Sequence, residues 1–156
     1  MIQVDVPGYG KLELLHVVLD YNGTMACDGL LLEGVREEFD LLRQSLEIHV
    51  LTADTFGKVA QQLEGIPCNL SILPPGDQAE GKLAYVEKLG TEHCACVGNG
   101  RNDRLMLAKA ALGIAVILEE GAAMETVSAA DVVCGSIVDA LRLLRAPLRL
   151  TATLRS

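Results

Sequence analysis

Along this chain the apolar positions follow two rhythms that take turns. Ile2 to Val6 alternate apolar and polar, Pro7 to Lys11 supply a Pro-Gly-Tyr-Gly turn, and Leu12 to Asn22 run on into an almost unbroken apolar stretch, LLHVVLD. Alternation on either side of a turn predicts a hairpin. The apolar run predicts a strand covered on both faces. The period then changes: Val35, Phe39, Leu42 and Leu46 recur at helical spacing, which predicts a helix over 35–45. A strand follows over 46–52 and a helix over 55–64, stopped by Gly65 and Pro67. Further on, strands are predicted over 69–73, 94–97, 113–117 and 131–134. Helices are predicted over 78–89, closed by Gly90, and over 102–111, 121–129 and 137–144.

Repeated strand–helix alternation requires parallel pairing with helices on both faces. The expected fold is therefore α/β: a three-layer α/β/α Rossmann-like arrangement with a mostly parallel sheet and an N-terminal β-hairpin. No internal repeat, linker or low-complexity run divides the chain, so residues 1–156 read as one core domain. Residues 1–12 form a hairpin arm, and 147–156 a mildly basic tail that packs loosely or meets another subunit.

Composition narrows this picture. With three Tyr, two Phe and no Trp, the core must be aliphatic. A net charge of -8 disfavours nucleic acid and anionic membranes, both of which need a basic surface. No apolar run approaches the ~20 residues of a bilayer span. The N-terminus lacks the basic-then-apolar order of a signal peptide, so the chain reads as cytoplasmic. Five cysteines, an odd number scattered through apolar segments, suit reduced thiols. Cys94 and Cys96 would share one strand face beside His93; buried thiols explain them better than a metal site.

An acidic protein that binds phosphate needs a metal or a helix N-terminus. In open α/β sheets, ligands bind beyond the carboxyl ends of the strands. Here those ends are polar: Asp20-Tyr21-Asn22-Gly23-Thr24, Thr52-Ala53-Asp54 and Gly98-Asn99-Gly100-Arg101-Asn102-Asp103. A carboxylate at a strand tip can serve as nucleophile or metal ligand. Gly23 lets the chain turn and brings backbone donors toward an anion, and Thr24 can cap that turn. Each segment alone is also an ordinary turn or cap sequence, and Lys82 alone an ordinary solvated helical lysine.

Taken together and in this order, the segments resemble the four motifs of the haloacid dehalogenase (HAD) superfamily. They are Asp20-Tyr-Asn-Gly-Thr24, Leu51-Thr52-Ala53-Asp54, Lys82, and Gly98-Asn-Gly-Arg-Asn-Asp103. The likeness is strongest to the phosphorylation domain of P-type ATPases. Thr52-Ala53-Asp54, Leu73-Pro74-Pro75-Gly76-Asp77, the run Leu107 to Val116 and Ala129 to Val133 look like segments of that domain. The resemblance implies an HAD fold without a cap domain, since the stretch from Asp20 to Thr52 holds one helix and leaves only 25–33 for a small flap.

The same resemblance implies that Asp20 is a nucleophile forming an aspartyl-phosphate and that Mg2+ is the cofactor. The metal would lie on Asp20, the backbone carbonyl of Asn22, Asn99 and Asp103. The phosphoryl group would lie on Gly23, Thr24, Thr52, Ala53, Lys82 and Asn102. A gapless alignment puts the motif lysine on Gln78; Lys82, one helical turn on, has the required chemistry. Two positions depart from the family. Asn22 replaces the general acid–base, a loss of roughly a hundred- to ten-thousand-fold in phosphatases. Asn99 replaces a metal-binding carboxylate, which weakens a site for a hard cation. The expected activity is a Mg-dependent phosphohydrolase or phosphotransferase, slow or biased to good leaving groups. Its substrate would be a phosphorylated small molecule, nucleotide or acyl phosphate, and an open site favours a homo-oligomer. The alternative is a catalytically attenuated domain that senses metal or phosphate or serves as a partner protein.

Overall fold

The computed structural model describes residues 1–54 and 57–156. In chain order the elements are β1 (Ile2–Val6), β2 (Gly10–Leu14), β3 (His16–Asp20), β4 (Ala26–Cys27), β5 (Leu30–Leu31), α1 (Val35–Leu42), β6 (Glu47–Thr52), α2 (Lys58–Gln62), β7 (Asn69–Ile72), α3 (Gln78–Leu89), β8 (Cys94–Gly98), α4 (Arg104–Lys109), β9 (Leu112–Val116), α5 (Met124–Ala129), β10 (Val132–Cys134), α6 (Ile137–Leu144) and α7 (Pro147–Leu154).

Six strands form one sheet in the order β10-β9-β8-β3-β6-β7, every pairing parallel. The chain steps outward from β3 through β6 to β7, then crosses back to place β8 on the other side of β3. That reversal opens a crevice beyond the carboxyl end of β3, where sheets of this kind hold their ligands.

Alternate side chains of each strand feed two aliphatic cores. Val17 and Leu19 of β3, Ile48 and Val50 of β6, and Ala95 and Val97 of β8 join a core with the hairpin, α1, α6 and Leu150 of α7. Val18, Leu51, Cys94 and Cys96 face the other way, into a core with Val86 of α3 and Met106 and Leu107 of α4. The three layers follow from this parity. Cys94 and Cys96 do share one face; Cys94 Sγ donates to Gly90 O, and His93 Nδ1 lies on Glu13 O. The thiols are thus core groups.

Several boundaries differ from the sequence reading, each for a local reason. The strand expected to continue from Leu12 to Asn22 breaks at Leu15, whose N–H donates to His93 O and whose carbonyl accepts from Glu47 N–H. The hairpin β1–β2 is consequently a separate antiparallel sheet. The helix expected over 102–111 begins as a 3-10 turn over Arg101–Asp103, with α4 following. The helix expected from 121 starts at Met124, because Ala123 N–H is drawn to Asn99 O. The helix expected over 35–45 ends at Leu42, with Arg43 as its C-cap. Of the helix expected over 55–64, residues 55 and 56 lie outside the described residues, and α2 covers Lys58–Gln62.

The C-terminal tail is not loose. Pro147 starts α7, Leu150 is fully buried, and Ser156 N–H donates to Pro7 O. On the same side of the sheet, buried Glu38 of α1 accepts from Arg142 and Arg145 across to α6. Burial alone would raise its carboxyl; the two guanidiniums outweigh that and hold it below the ordinary range. The expected flap is a two-strand hairpin, β4–β5, tied by Tyr21 Oη donating to Gly29 O at 2.9 Å. Among the described residues, no helix is long and apolar enough to cross a membrane.

Candidate active site

Asp20 is the last residue of β3 and shares the face of Val18, so its side chain lies on the α3 side of the sheet. Helix α3 is started by Asp77, whose carboxylate accepts from the N–H groups of Ala79 and Glu80. Lys82 follows one turn later and points inward. Its Nζ donates to Asp20 Oδ1 at 2.7 Å and to Asp103 Oδ1 at 2.6 Å, and its side chain is only 2% exposed. Gln78, the alternative by alignment, turns its amide nitrogen to Pro74 O.

Asp103 lies at the end of the 3-10 turn and is fully buried. Its second oxygen accepts from the N–H groups of Asn99 at 3.0 Å and Gly100 at 2.9 Å. This fold of the loop over one carboxylate explains Gly98: a Cβ there would run into the Asp103 side chain. Thr24 Oγ1 lies 3.1 Å from Asp20 Oδ2 and 3.2 Å from Asn99 Oδ1. Asn99 is steadied by its amide nitrogen, which donates to Gly121 O. Gly23 has φ +80, and a Cβ there would collide with the Asn99 amide.

Electrostatically the site is one buried lysine against two buried carboxylates. Burial, and after it the charge of Asp103, pushes the Asp20 carboxyl up to about 7, while Lys82 and the Thr24 hydroxyl pull the other way. Lys82 is penalised by burial, but its two acid partners outweigh this and hold its ammonium above the ordinary range.

The structure thus gathers Asp20, Thr24, Lys82, Asn99 and Asp103 around one point, with Gly23 behind them. Thr52 stands on the neighbouring strand, one position past the Asp20–Leu51 pairing, and its Oγ1 accepts from Asp54 N–H. Asn22 and Ala53 are exposed and line a cleft of about 400 Å³ together with Tyr21, Gly29, Asp54, Lys58 and Val59. Asn102 is exposed on the 3-10 turn, its amide oxygen beside Gly100. Lys58 was not singled out from the sequence. It opens a helix shortly after the Thr52 strand end, and a lone cation at that place in an acidic chain was the available signal.

The six-strand parallel sheet with this reversal is shared with solved structures of HAD family hydrolases. The solved structures agree on the fold. A putative HAD family hydrolase from Streptomyces avermitilis superimposes with a TM-score of 0.68 at 20% identity, covering 86% of this chain and 84% of its own. The 3-deoxy-D-manno-octulosonate 8-phosphate phosphatase from Moraxella catarrhalis, solved with magnesium, phosphate and KDO, gives 0.71 at 16% identity, covering 91% and 94%. Its counterpart from Haemophilus influenzae, in a cobalt-bound form, gives 0.69 at 13%, covering 90% of each chain. No protein-family model matches the chain. At the level of sequence, the uncharacterized protein MJ0073 of Methanocaldococcus jannaschii is 43% identical over 84 residues, 51% of this chain and 90% of that protein. The uncharacterized protein MJ0072 of the same organism is 49% identical over 39 residues, 25% of this chain and 89% of that protein. The chain has the HAD fold and belongs to the family of these two archaeal proteins.

Proposed function

We infer that the chain is a phosphohydrolase or phosphotransferase of the HAD type that forms an aspartyl-phosphate at Asp20. One observation carries this reading: Lys82 Nζ shared between Asp20 and Asp103, buried at the reversal point of the sheet. Burying three charges at a crevice costs stability, and such arrangements concentrate at functional sites.

In this reading the Asp20 carboxylate attacks phosphorus and the leaving group departs on the far side. Lys82 orients Asp20 and offsets the charge of the incoming phosphoryl oxygens. The Thr52 hydroxyl, which accepts from Asp54 N–H, still has its own proton to donate to one of those oxygens. Backbone donors near Gly23, Thr24 and Ala53 would hold the others. Asn102 remains a candidate contact for the phosphate from the rim. Asn22, beside the cleft, can neither protonate the leaving group nor activate water, so substrates with good leaving groups are favoured and the phosphoenzyme is long-lived.

The donor set fits a hard cation such as Mg2+. Asp20 Oδ2 and Asn99 Oδ1 are both oxygens and both lie against Thr24 Oγ1, and Asn22 would add its backbone carbonyl. When bound, the ion supplies charge to neutralise the transferring phosphoryl group. Asp103 was expected from the sequence to be a ligand. In this reading it supports the metal site and also positions Lys82 through Oδ1 and the 98–103 loop through Oδ2.

The test is a phosphoenzyme trap. Incubation with 32P-labelled acetyl phosphate and Mg2+, followed by acid quench, should leave hydroxylamine-sensitive label on the chain. Asp20→Asn and omission of Mg2+ should each abolish it. Equal labelling of wild type and Asp20→Asn would overturn the reading. No labelling, together with a rise in melting temperature on adding Mg2+ and phosphate, would favour a sensor of those ions.

A further inference from the structure

At the opposite end of the same strands lies a second convergence of chemistry. His16 opens β3, and Glu47 and His49 stand in the first half of β6, His16 pairing with Glu47 in register. His16 Nδ1 is 3.1 Å from His49 Nε2 and 3.2 Å from Glu47 Oε2, and His49 Nε2 is 3.7 Å from that same oxygen. All three side chains point to the α3 face, four residues below Asp20 along β3, roughly 13 Å away at the rise of a strand.

We propose that His16, Glu47 and His49 form a metal site distinct from the candidate active site, taking a borderline divalent ion, with zinc the best fit. A tetrahedral zinc ion sits roughly 2.0–2.2 Å from each imidazole or carboxylate ligand, which places the ligand atoms about 3.3 Å apart. The three separations here bracket that value. Each of two ligands is also oriented from behind. Tyr85 Oη lies 2.9 Å from His49 Nδ1, so a proton on Nδ1 donated to the phenol oxygen leaves the Nε2 lone pair facing the site. Asn69 Nδ2 donates to Glu47 Oε1 at 2.9 Å and leaves Oε2 for the ion.

A hydrogen-bonded histidine pair is the simpler account, and it explains less. One proton on His16 Nδ1 can satisfy His49 or Glu47, not both; a cation at the centre satisfies all three. Glu47 is half exposed, so a water could complete the coordination. The ion would tie the starts of β3 and β6 together, with α3 joined through Tyr85.

The experiment uses the full chain, stripped with chelator and held in excess Mg2+ to occupy oxygen-rich sites. Titration with Co2+ should develop the intense visible absorption of four-coordinate cobalt, saturating at one equivalent and erased by Zn2+. Glu47→Gln and His16→Gln, both at partly exposed positions, should weaken Co2+ binding at least tenfold. Tyr85→Phe should weaken it about tenfold, and Asp20→Asn should leave it intact. Far-UV circular dichroism checks that each variant is folded. No such band at stoichiometric Co2+, a band unchanged in Glu47→Gln and His16→Gln, or a band lost in Asp20→Asn would each overturn the proposal. None of these outcomes bears on whether Asp20 is phosphorylated.

Discussion

Asp20 is held by opposed influences, and they set a pH dependence that can be measured. Its carboxyl is pushed up to about 7, chiefly by burial. A carboxyl bound more tightly to its proton in the folded than in the unfolded chain stabilises most when protonated. That contribution is full below about 4, the ordinary carboxyl range, and is lost as pH rises through about 7. In cation-free buffer, Asp20→Asn should therefore melt higher than wild type at pH 8, by on the order of 1 kcal/mol or more. The gap should narrow steadily below pH 7 and close as pH falls toward about 4. Calorimetry across that range checks the sign; a variant less stable at pH 8 would mean that Lys82 compensates Asp20 fully. If Asp20 is phosphorylated as proposed, Asn22→Asp, two residues on, would supply a group able to activate water. Decay of the trapped phosphoenzyme should quicken up to about 100-fold, measured by chase with unlabelled substrate. The acids at the strand tips were legible because apolar strands stop abruptly at them. Lys82 was not, taken alone: a helical lysine between Gly81 and Leu83 has no sequence mark of burial, and only the family's chemical requirement for a lysine, one helical turn beyond the aligned Gln78, singled it out.

At the scale of elements, the parity of β3, β6 and β8 carries most of what could be read beforehand. Runs such as CACVG and LGIAV are apolar on both faces, so the parallel sheet and its two covering layers follow from pattern alone. The entries and exits of helices were less legible. Asp103 pulls two backbone N–H groups onto one oxygen and tightens the start of its helix, a tertiary effect with no local signature. Helix α7 was missed for another reason. PLRLTATL is short and its β-branched residues weaken the helical signal, so its order comes from docking Leu150. Leu150→Ala should cost roughly 2–4 kcal/mol and lower the melting temperature accordingly. Leu148→Ala, at a side chain 86% exposed, should be near neutral, and thermal denaturation of the pair separates docking from helix propensity. The histidine–glutamate group likewise needs the β3–β6 register, which unites residues that the sequence keeps in separate segments.

For the molecule as a whole, the strands that end in Asp20 and Thr52 begin at His16 and Glu47, so one rigid pair of strands carries both convergences. On the proposed function, a phosphorylated substrate approaches through the field of a chain with net charge -8. Because Lys82 is shared by two carboxylates, the crevice is itself one negative charge in excess at neutral pH when Asp20 is ionised. A phosphate dianion arriving alone meets repulsion at long range and again on arrival. Order of addition should therefore be strict: inorganic phosphate alone binds poorly, and its affinity by calorimetry rises steeply once Mg2+ is present. Association of a polyanionic substrate should also speed up with added monovalent salt, the reverse of a basic phosphate-binding protein, because screening here removes a barrier rather than an attraction.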